Sequence, residues 1–257
     1  MNKNLARVGH ERGDVLMSDP AGRFSDEERR GVYRAIHERR DVRSSFVEAP
    51  LPDEVLARIL DAAHHAPSVG FMQPWEFIIV ADRGVRAAIR QRFEDASRRA
   101  ADAYAGERRE LYHTLKLEGI LESAVNVCVT CDPRATRGYG LGRQTMPETA
   151  LYSAVCAIQN CWLAARAEGV GVGWVSIIQP DELRQILGIP AHIVPVGYLC
   201  LGYVASFEAQ PELETRGWEH RVPLADTLHF DRYGTTDDDR AQALARLCDP
   251  ATAGGPR

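Results

Sequence analysis

The 257-residue sequence contains no apolar run of the roughly 20 residues that a membrane-spanning helix needs. Its N-terminal region is charged and lacks an apolar core, which argues against a secretory signal. A basic surplus is missing as well. The 31 Lys and Arg residues are outnumbered by 36 Asp and Glu, for a net charge of −5, whereas a general nucleic-acid binder is usually basic. The sequence therefore predicts a cytoplasmic enzyme that binds neither nucleic acid nor a membrane.

Motifs for metal binding and redox chemistry are also scarce. Cys128 and Cys131 form a C-x-x-C pair, but they lie in an apolar segment, 125–131, with the pattern of a strand. Residues three apart in a strand point to opposite faces, so these thiols suit neither one metal ion nor a redox disulfide. His64 and His65 are adjacent, and adjacent helical side chains diverge by roughly 100°, so they form no two-ligand face. We predict that the protein has no metal site.

The dinucleotide-binding and hydrolase motifs are missing too. The glycine-rich segment 169–173 follows a predicted helix and precedes a predicted strand, whereas the dinucleotide motif needs a strand, then glycines, then a helix. These glycines are expected to end the helix and to let backbones approach closely. Ser176 lacks the surrounding G-x-S-x-G of a hydrolase nucleophile, so its hydroxyl is better suited to hydrogen-bonding a ligand.

What the sequence does contain is a series of helical and strand-like segments without an internal repeat. The predicted helices cover 26–38, 52–63, 83–106 with a continuation over 107–122, 148–168 and 180–187; the predicted strands cover 76–80, 125–131, 194–204 and the residues after the glycines of 169–173. Helices outnumber strands, so we predict a single α+β domain.

The domain is expected to span residues 23–234, after a disordered segment over 1–22 and before a polar tail over 235–257. Within it, the segment 207–234 is rich in Pro, Gly and aromatic residues and is too long for a simple connection. We expect this segment to wrap its own domain or to reach a partner subunit.

Three arginines surround one carboxylate at the end of the first predicted helix. Arg39, Arg40 and Arg43 lie within two residues of Asp41. The planar guanidinium offers a fork of donors that matches phosphate geometry, so the cluster suits a phosphate-bearing ligand. A solvated basic helix end that complements the helix dipole would carry similar residues. The cluster alone leaves both interpretations open.

Four short motifs follow one another along the chain. They are RRDVR at 39–43, HHAPSVGFMQPW at 64–75, LKLEGI at 115–120 and GWVS at 173–176. Together they resemble the BluB family, the aerobic 5,6-dimethylbenzimidazole synthases within the nitroreductase-like FMN superfamily. The similarity extends from about Phe24 to Gly234. Asp41 and Phe71 stand where the wider superfamily usually has Ser and Asn, and both departures match the BluB pattern.

The resemblance implies a nitroreductase-like fold with a central mixed, mostly antiparallel sheet flanked by helices. It implies a homodimer with FMN at the interface, a lid formed by 98–120, and a tail, 207–234, that extends onto the partner. It also implies that reduced FMN, supplied by a separate flavin reductase, is the substrate. Molecular oxygen would fragment it into 5,6-dimethylbenzimidazole and erythrose 4-phosphate.

The resemblance further implies the site residues. Asp41 and Ser176 are the candidate catalytic residues: the arginines should keep Asp41 ionised, so that it can accept protons during ribityl cleavage, and Ser176 would lie near the reactive edge of the flavin. Arg221 is a further candidate for the phosphate. The full set of predicted FMN contacts is Arg39, Arg40, Asp41, Val42, Arg43, Ser68, Gly70, Met72, Arg108, Leu117, Ser176 and Arg221.

Three functions remain open at this point. Besides the synthase, the chain is compatible with an NAD(P)H-dependent nitroreductase or flavin reductase, and with a non-catalytic flavin-binding protein. Asp41 likewise has two interpretations, as a general base or as a brace for the arginines.

Overall fold

The computed structural model describes residues 22–248. Residues 1–21 of the segment predicted to be disordered, and residues 249–257 of the predicted polar tail, lie outside that range. The helices are α1 (Asp26–Glu38), α2 (Asp53–His64), α3 (Arg83–Ala101), α4 (Gly106–Thr114), α5 (Thr149–Ala167), α6 (Pro180–Leu187), α7 (Glu212–Thr215) and α8 (Asp238–Cys248), and the strands are β1 (Trp75–Val80), β2 (Val125–Cys131), β3 (Val170–Val175) and β4 (Val194–Tyr203).

The four strands form one sheet in the order β1-β2-β4-β3, with every neighbouring pair antiparallel. The segment after α1 joins the β3 edge, where Asp41 makes an isolated parallel bridge to Val172. Phe46 makes an antiparallel bridge to Val204 just beyond β4. The sheet is therefore mixed but mostly antiparallel, as predicted, and the arginine-rich segment lies directly against its edge.

Helices cover both faces of the sheet. One core lies between the sheet and the pair α2 and α5, and the other between the sheet and the pair α3 and α6. The central strand β2 is buried along its whole length, because its side chains alternate between these two cores. Cys131 lies in the first core and Cys128 in the second, which confirms that the C-x-x-C pair points to opposite faces.

Helix α5 is buried over much of its surface, and its small residues let it approach α2 and the sheet closely. Ala150, Ala154 and Ala157 have no exposed surface. Tyr152 and Val155, in contrast, are 55% and 41% exposed on the opposite side. An apolar helix with one uncovered apolar stripe fits a surface that another molecule covers.

The predicted helix over 107–122 is only partly correct, since α4 ends at Thr114 and the residues after it are not helical. The cause is a contact between this segment and a residue distant in the sequence. The buried guanidinium of Arg86 donates to the carbonyl oxygens of Ile120 (2.9 and 2.5 Å), Ser123 (2.5 Å) and Ala124 (3.3 Å). Helical carbonyls would be directed at amides four residues ahead, so this chain segment bends around the arginine instead.

The segment predicted as a polar C-terminal tail contains helix α8. Ala241 of this helix is buried, and the Arg240 guanidinium lies 4.8 Å from the centre of the Phe230 ring. The helix thus packs on the end of the 207–234 segment.

The buried thiols have strongly raised pKa values. Burial raises the pKa of Cys128, Cys161 and Cys200 to about 12, and burial together with Asp132 raises the pKa of Cys131 to about 11. The thiolate is the reactive form, so these four thiols should not react with a disulfide reagent near pH 8 in the folded protein.

We expect at most two fast-reacting thiols, Cys156 and Cys248, in a titration of the folded protein with an aromatic disulfide. All six should react after unfolding in urea. Fast reaction of four or more in the native protein would contradict this core.

Candidate active site

The arginine-rich segment is attached to the sheet through the glycines of β3. The Val42 amide donates to the carbonyl oxygen of Val172 (2.9 Å). A Cβ atom at Gly173 would overlap the carbonyl oxygen of Val42, and one at Gly171 would lie 3.0 Å from Cγ2 of Val42. The prediction that these glycines permit close backbone approach is therefore confirmed. Gly169, at φ +74°, ends α5 as expected.

Asp41 is held by two donors. Its Oδ2 accepts from the Arg43 guanidinium in an ion pair, and its Oδ1 accepts from the backbone amide of Trp174 (3.0 Å). The Arg43 side chain is 11% exposed and that of Asp41 is 28% exposed. The carboxylate is thus oriented by the sheet edge while part of it stays accessible, an arrangement that suits either a base or a brace.

Arg40 uses its donors on backbone carbonyl groups. Its Nη1 donates to His37 (2.9 Å) and Arg39 (2.7 Å), and its Nη2 donates to Ala209 at the start of the tail. Its Nε is buried without a partner in the part of the chain that the structure describes. Burial, then repulsion from Arg39 and Arg221, lowers the pKa of Arg40. Arg221 of the tail therefore lies close enough to add its charge to the cluster, while Arg40 ties α1 to the tail.

Arg39 is arranged differently. It follows α1, and its guanidinium carbon lies 5.1 Å from the centre of the Trp162 ring. None of the ion pairs among residues 22–248 includes Arg39, because its neighbour Glu38 pairs with Arg34 and Arg166. Its guanidinium therefore has no ion-pair partner within the described part of the chain.

The loop predicted to line the flavin ring is tightly packed and unusual in conformation. The Ser68 Oγ accepts from the Gln73 amide (3.1 Å), Gly70 has φ +54°, and Met72 is buried. Phe71 and Gln73 also have left-handed φ values, +55° and +48°, and the Phe71 ring is 75% exposed. Non-glycine residues in this region are strained, and such strain clusters at functional sites.

Helix α5 connects this loop to the arginines. The Ser153 Oγ accepts from the Val69 amide (3.1 Å), and Trp162 contacts Arg39. These two residues of α5 are nine positions apart, a rise of about 13 Å. A ligand that reached from the loop to the arginines would therefore extend along this helix.

Ser176 follows the end of β3 and is exposed. Trp174, whose amide holds Asp41, lies two residues earlier in the same strand. A strand rises about 3.3 Å per residue, so Ser176 is about 7 Å along the chain from the amide that holds Asp41. The two predicted catalytic residues thus share one edge of the sheet.

The two predicted lid residues make other contacts in this chain. The Arg108 Nη1 donates to the Trp218 carbonyl oxygen (2.6 Å), and its guanidinium carbon lies 4.6 Å from the Trp218 ring. Tyr104 packs edge-on against the same ring, with centroids 5.2 Å apart. Leu117 is half-buried beside Phe93 in a cavity of about 270 Å³. The segment predicted to form a lid is therefore attached to the tail of its own chain through Arg108 and Tyr104.

The contacts made by three tryptophans were not predicted from the sequence. Trp162 contacts Arg39, Trp174 holds Asp41 through its amide, and Trp218 binds Arg108. Only the position of Trp174 within the motif GWVS indicated a functional role from the sequence.

Among the described residues, no group of three or more His, Cys, Asp or Glu is placed to hold a metal ion. None of the helices between residues 22 and 248 is long and apolar enough to cross a membrane.

Comparison with known proteins agrees with this architecture. Residues 36–203 match the Nitroreductase family. Oxidised iodotyrosine deiodinase, in a crystal structure with FMN and 3-iodo-L-tyrosine, has a similar fold, with a TM-score of 0.61 and 21% identity over 79% of this chain and 99% of that chain. Nitroreductase A from Vibrio parahaemolyticus gives a TM-score of 0.58 and 19% identity over 83% and 81% of the two chains. The chain belongs to the nitroreductase family and is an oxidoreductase.

Within that family the chain groups with the BluB proteins, as the four motifs predicted. A 5,6-dimethylbenzimidazole synthase from Rhodospirillum rubrum is 43% identical over 200 residues, which cover 78% of this chain and 94% of the relative. A second protein of that name, from Rhodobacter capsulatus, is 36% identical over 78% of this chain and 96% of the relative.

Proposed function

We propose that this protein uses molecular oxygen to fragment reduced FMN into 5,6-dimethylbenzimidazole and erythrose 4-phosphate. The observation that carries the proposal is the docking of Asp41 on the glycine edge of β3. Asp41, two residues after Arg39 in the chain, is held on β3 by the Trp174 amide, and the Arg39 guanidinium has no ion-pair partner among the described residues. Relatives named 5,6-dimethylbenzimidazole synthase support the same reaction.

The residues present fit FMN. Arg39 has no carboxylate partner among the described residues, and Arg221 adds positive charge nearby, so a phosphate group would supply the negative charge that Arg39 lacks. At the other end of the site, the strained loop with Ser68, Gly70 and Met72 offers a surface for a flat ring. Reduced flavin supplies the electrons with which oxygen is reduced.

The side chains of this chain then have separate roles. Asp41 would accept protons from the ribityl hydroxyl groups, since its carboxylate is oriented but still accessible. Ser176 would donate a hydrogen bond at the reactive edge of the flavin. The lid segment around Arg108 and Leu117 would limit the entry of water, which protects reactive species from side reactions.

The site is proposed to be completed by a second copy of the chain. Tyr152 and Val155 form an exposed apolar stripe on α5, and Val32, Tyr33 and Ile36 add exposed apolar surface on α1, which packs against α5. Large exposed apolar patches mark interaction surfaces. We propose a cytoplasmic homodimer that receives reduced FMN from a separate flavin reductase.

The test supplies chemically reduced FMN to the purified protein without oxygen, then admits oxygen and detects 5,6-dimethylbenzimidazole by mass spectrometry. We expect the product to form only when protein is present. Oxidation of NADH coupled to a nitroaromatic acceptor would favour a nitroreductase instead. Complete recovery of FMN, with no product of either reaction, would indicate a flavin-binding protein without catalytic activity.

A further inference from the structure

We propose that Trp162 is a positioning residue that orients Arg39 toward a phosphate ester. The inference deepens the proposed function, because it assigns to one buried indole the phosphate selectivity of the flavin site. Trp162 itself would not touch the reacting atoms.

The indole is held in place by α5 and holds two parts of the arginine cluster. Trp162 is 9% exposed and belongs to the core between α5 and the sheet. Its face lies 5.1 Å from the guanidinium carbon of Arg39, and its Nε1 donates to the carbonyl oxygen of Arg40 (3.1 Å). One side chain thus fixes the head group of Arg39 and the backbone that follows it.

Stacking on an aromatic ring occupies the flat face of a guanidinium and leaves its edge free. All five N–H donors of arginine lie in the guanidinium plane, so a stacked arginine can still donate two parallel hydrogen bonds to an oxyanion. The Arg39 guanidinium carbon lies over the Trp162 ring, so this contact restricts where Arg39 points, and none of the guanidinium donors is used within the described part of the chain. An arginine arranged in this way loses less conformational freedom when it binds phosphate.

The other two arginines of the cluster are already engaged. Arg40 donates to three carbonyl groups, and Arg43 pairs with Asp41. Of the three, Arg39 is the one whose guanidinium makes neither an ion pair nor a hydrogen bond in the described part of the chain. The phosphate selectivity of residues 39–43 should therefore depend mainly on Arg39. It should then also depend on the Trp162 ring, which lies against the Arg39 guanidinium.

A second tryptophan links this arrangement to Asp41. The rings of Trp162 and Trp174 have centroids 6.4 Å apart, and the Trp174 amide donates to Asp41. The ring that lies against Arg39 therefore neighbours the residue whose backbone amide holds Asp41.

A purely structural role for Trp162 would predict a different result. If the indole only filled the core, its loss would weaken every ligand of the site equally. If it orients Arg39, its loss should weaken ligands that carry a phosphate and spare those that do not. Riboflavin, which is FMN without the phosphate, separates the two cases.

The experiment measures the affinity of the full chain for chemically reduced FMN and riboflavin by anaerobic calorimetry. We expect Trp162→Leu to weaken FMN binding about tenfold and riboflavin binding less than about twofold. Trp162→Phe keeps an aromatic face and should give a smaller loss. In an Arg39→Ala background, Trp162→Leu should cause no further loss of FMN affinity. Trp75→Phe, which also alters a buried tryptophan, should leave the ratio of the two affinities unchanged.

Equal losses for FMN and riboflavin in Trp162→Phe and Trp162→Leu would overturn the inference. So would additive losses from the Arg39 and Trp162 substitutions. Selective loss of FMN affinity in a protein that forms no 5,6-dimethylbenzimidazole would refute the proposed reaction and leave the role of Trp162 standing. Failure of the wild-type protein to bind reduced FMN would refute both.

Discussion

Replacing Asp41 by Asn is expected to slow the formation of 5,6-dimethylbenzimidazole by about 10²–10⁴-fold, the usual contribution of a general base. Asparagine has nearly the same shape, and its carbonyl oxygen can still accept from the Trp174 amide, so the segment should stay on the sheet edge. What is lost is the ability to accept a proton. The rate is measured in a single turnover, with reduced FMN bound before oxygen is admitted.

If Asp41 instead only holds the arginines in place, the Asn substitution should affect FMN binding and not the rate of the reaction. Without its carboxylate partner Arg43 would be misplaced, so FMN binding would weaken while the single-turnover rate stayed near that of the wild type. Such a result would remove Asp41 from the chemistry. Asp61→Asn, at an exposed position on α2, is the matched control and should change neither quantity.

Replacing Gly173 by Ala is expected to abolish the site and to destabilise the fold by about 1–3 kcal/mol. The new Cβ would lie well under 3.0 Å from the carbonyl oxygen of Val42, a backbone atom that cannot rotate away. The segment would have to leave β3, which breaks the bonds from Val42 to Val172 and from Trp174 to Asp41. Urea unfolding and binding of reduced FMN measure the two effects.

Gly31→Ala provides the control for this substitution. Gly31 lies within α1, and a Cβ there would meet no atom within 4 Å. Alanine is the better helix former, so this variant should gain up to about 1 kcal/mol of stability and bind flavin normally. A Gly173→Ala protein as stable and active as the wild type would contradict the docking of 39–43 on β3.

The elements that could be predicted from the sequence are those with a strong local signal. The apolar periodicity of α5 and the continuous apolar run of β2 gave their bounds to within a residue. The bend after Thr114 could not be predicted, because it depends on Arg86, almost thirty residues earlier in the chain, binding the carbonyl groups of 120–124. A tertiary contact overrode a helical pattern.

The residue types of the candidate site could be predicted from the sequence, but the different contacts that its arginines make could not. The motif RRDVR predicted a phosphate site, yet nothing in the sequence distinguishes Arg39, whose guanidinium has no ion pair or hydrogen bond among the described residues, from Arg40, which donates to carbonyl groups. Trp162 appeared only as one more apolar residue of α5. The left-handed conformation of Phe71 was also hidden, since that conformation usually signals glycine.

A mass balance over one turnover tests directly whether this protein consumes FMN. Reduced FMN is bound to excess protein without oxygen, air is admitted, and both FMN and 5,6-dimethylbenzimidazole are quantified by mass spectrometry. We expect each molecule of FMN that disappears to yield one molecule of 5,6-dimethylbenzimidazole, and the Asp41→Asn protein to yield far less in the same time. Recovery of all the flavin as intact FMN would show that the protein does not fragment FMN.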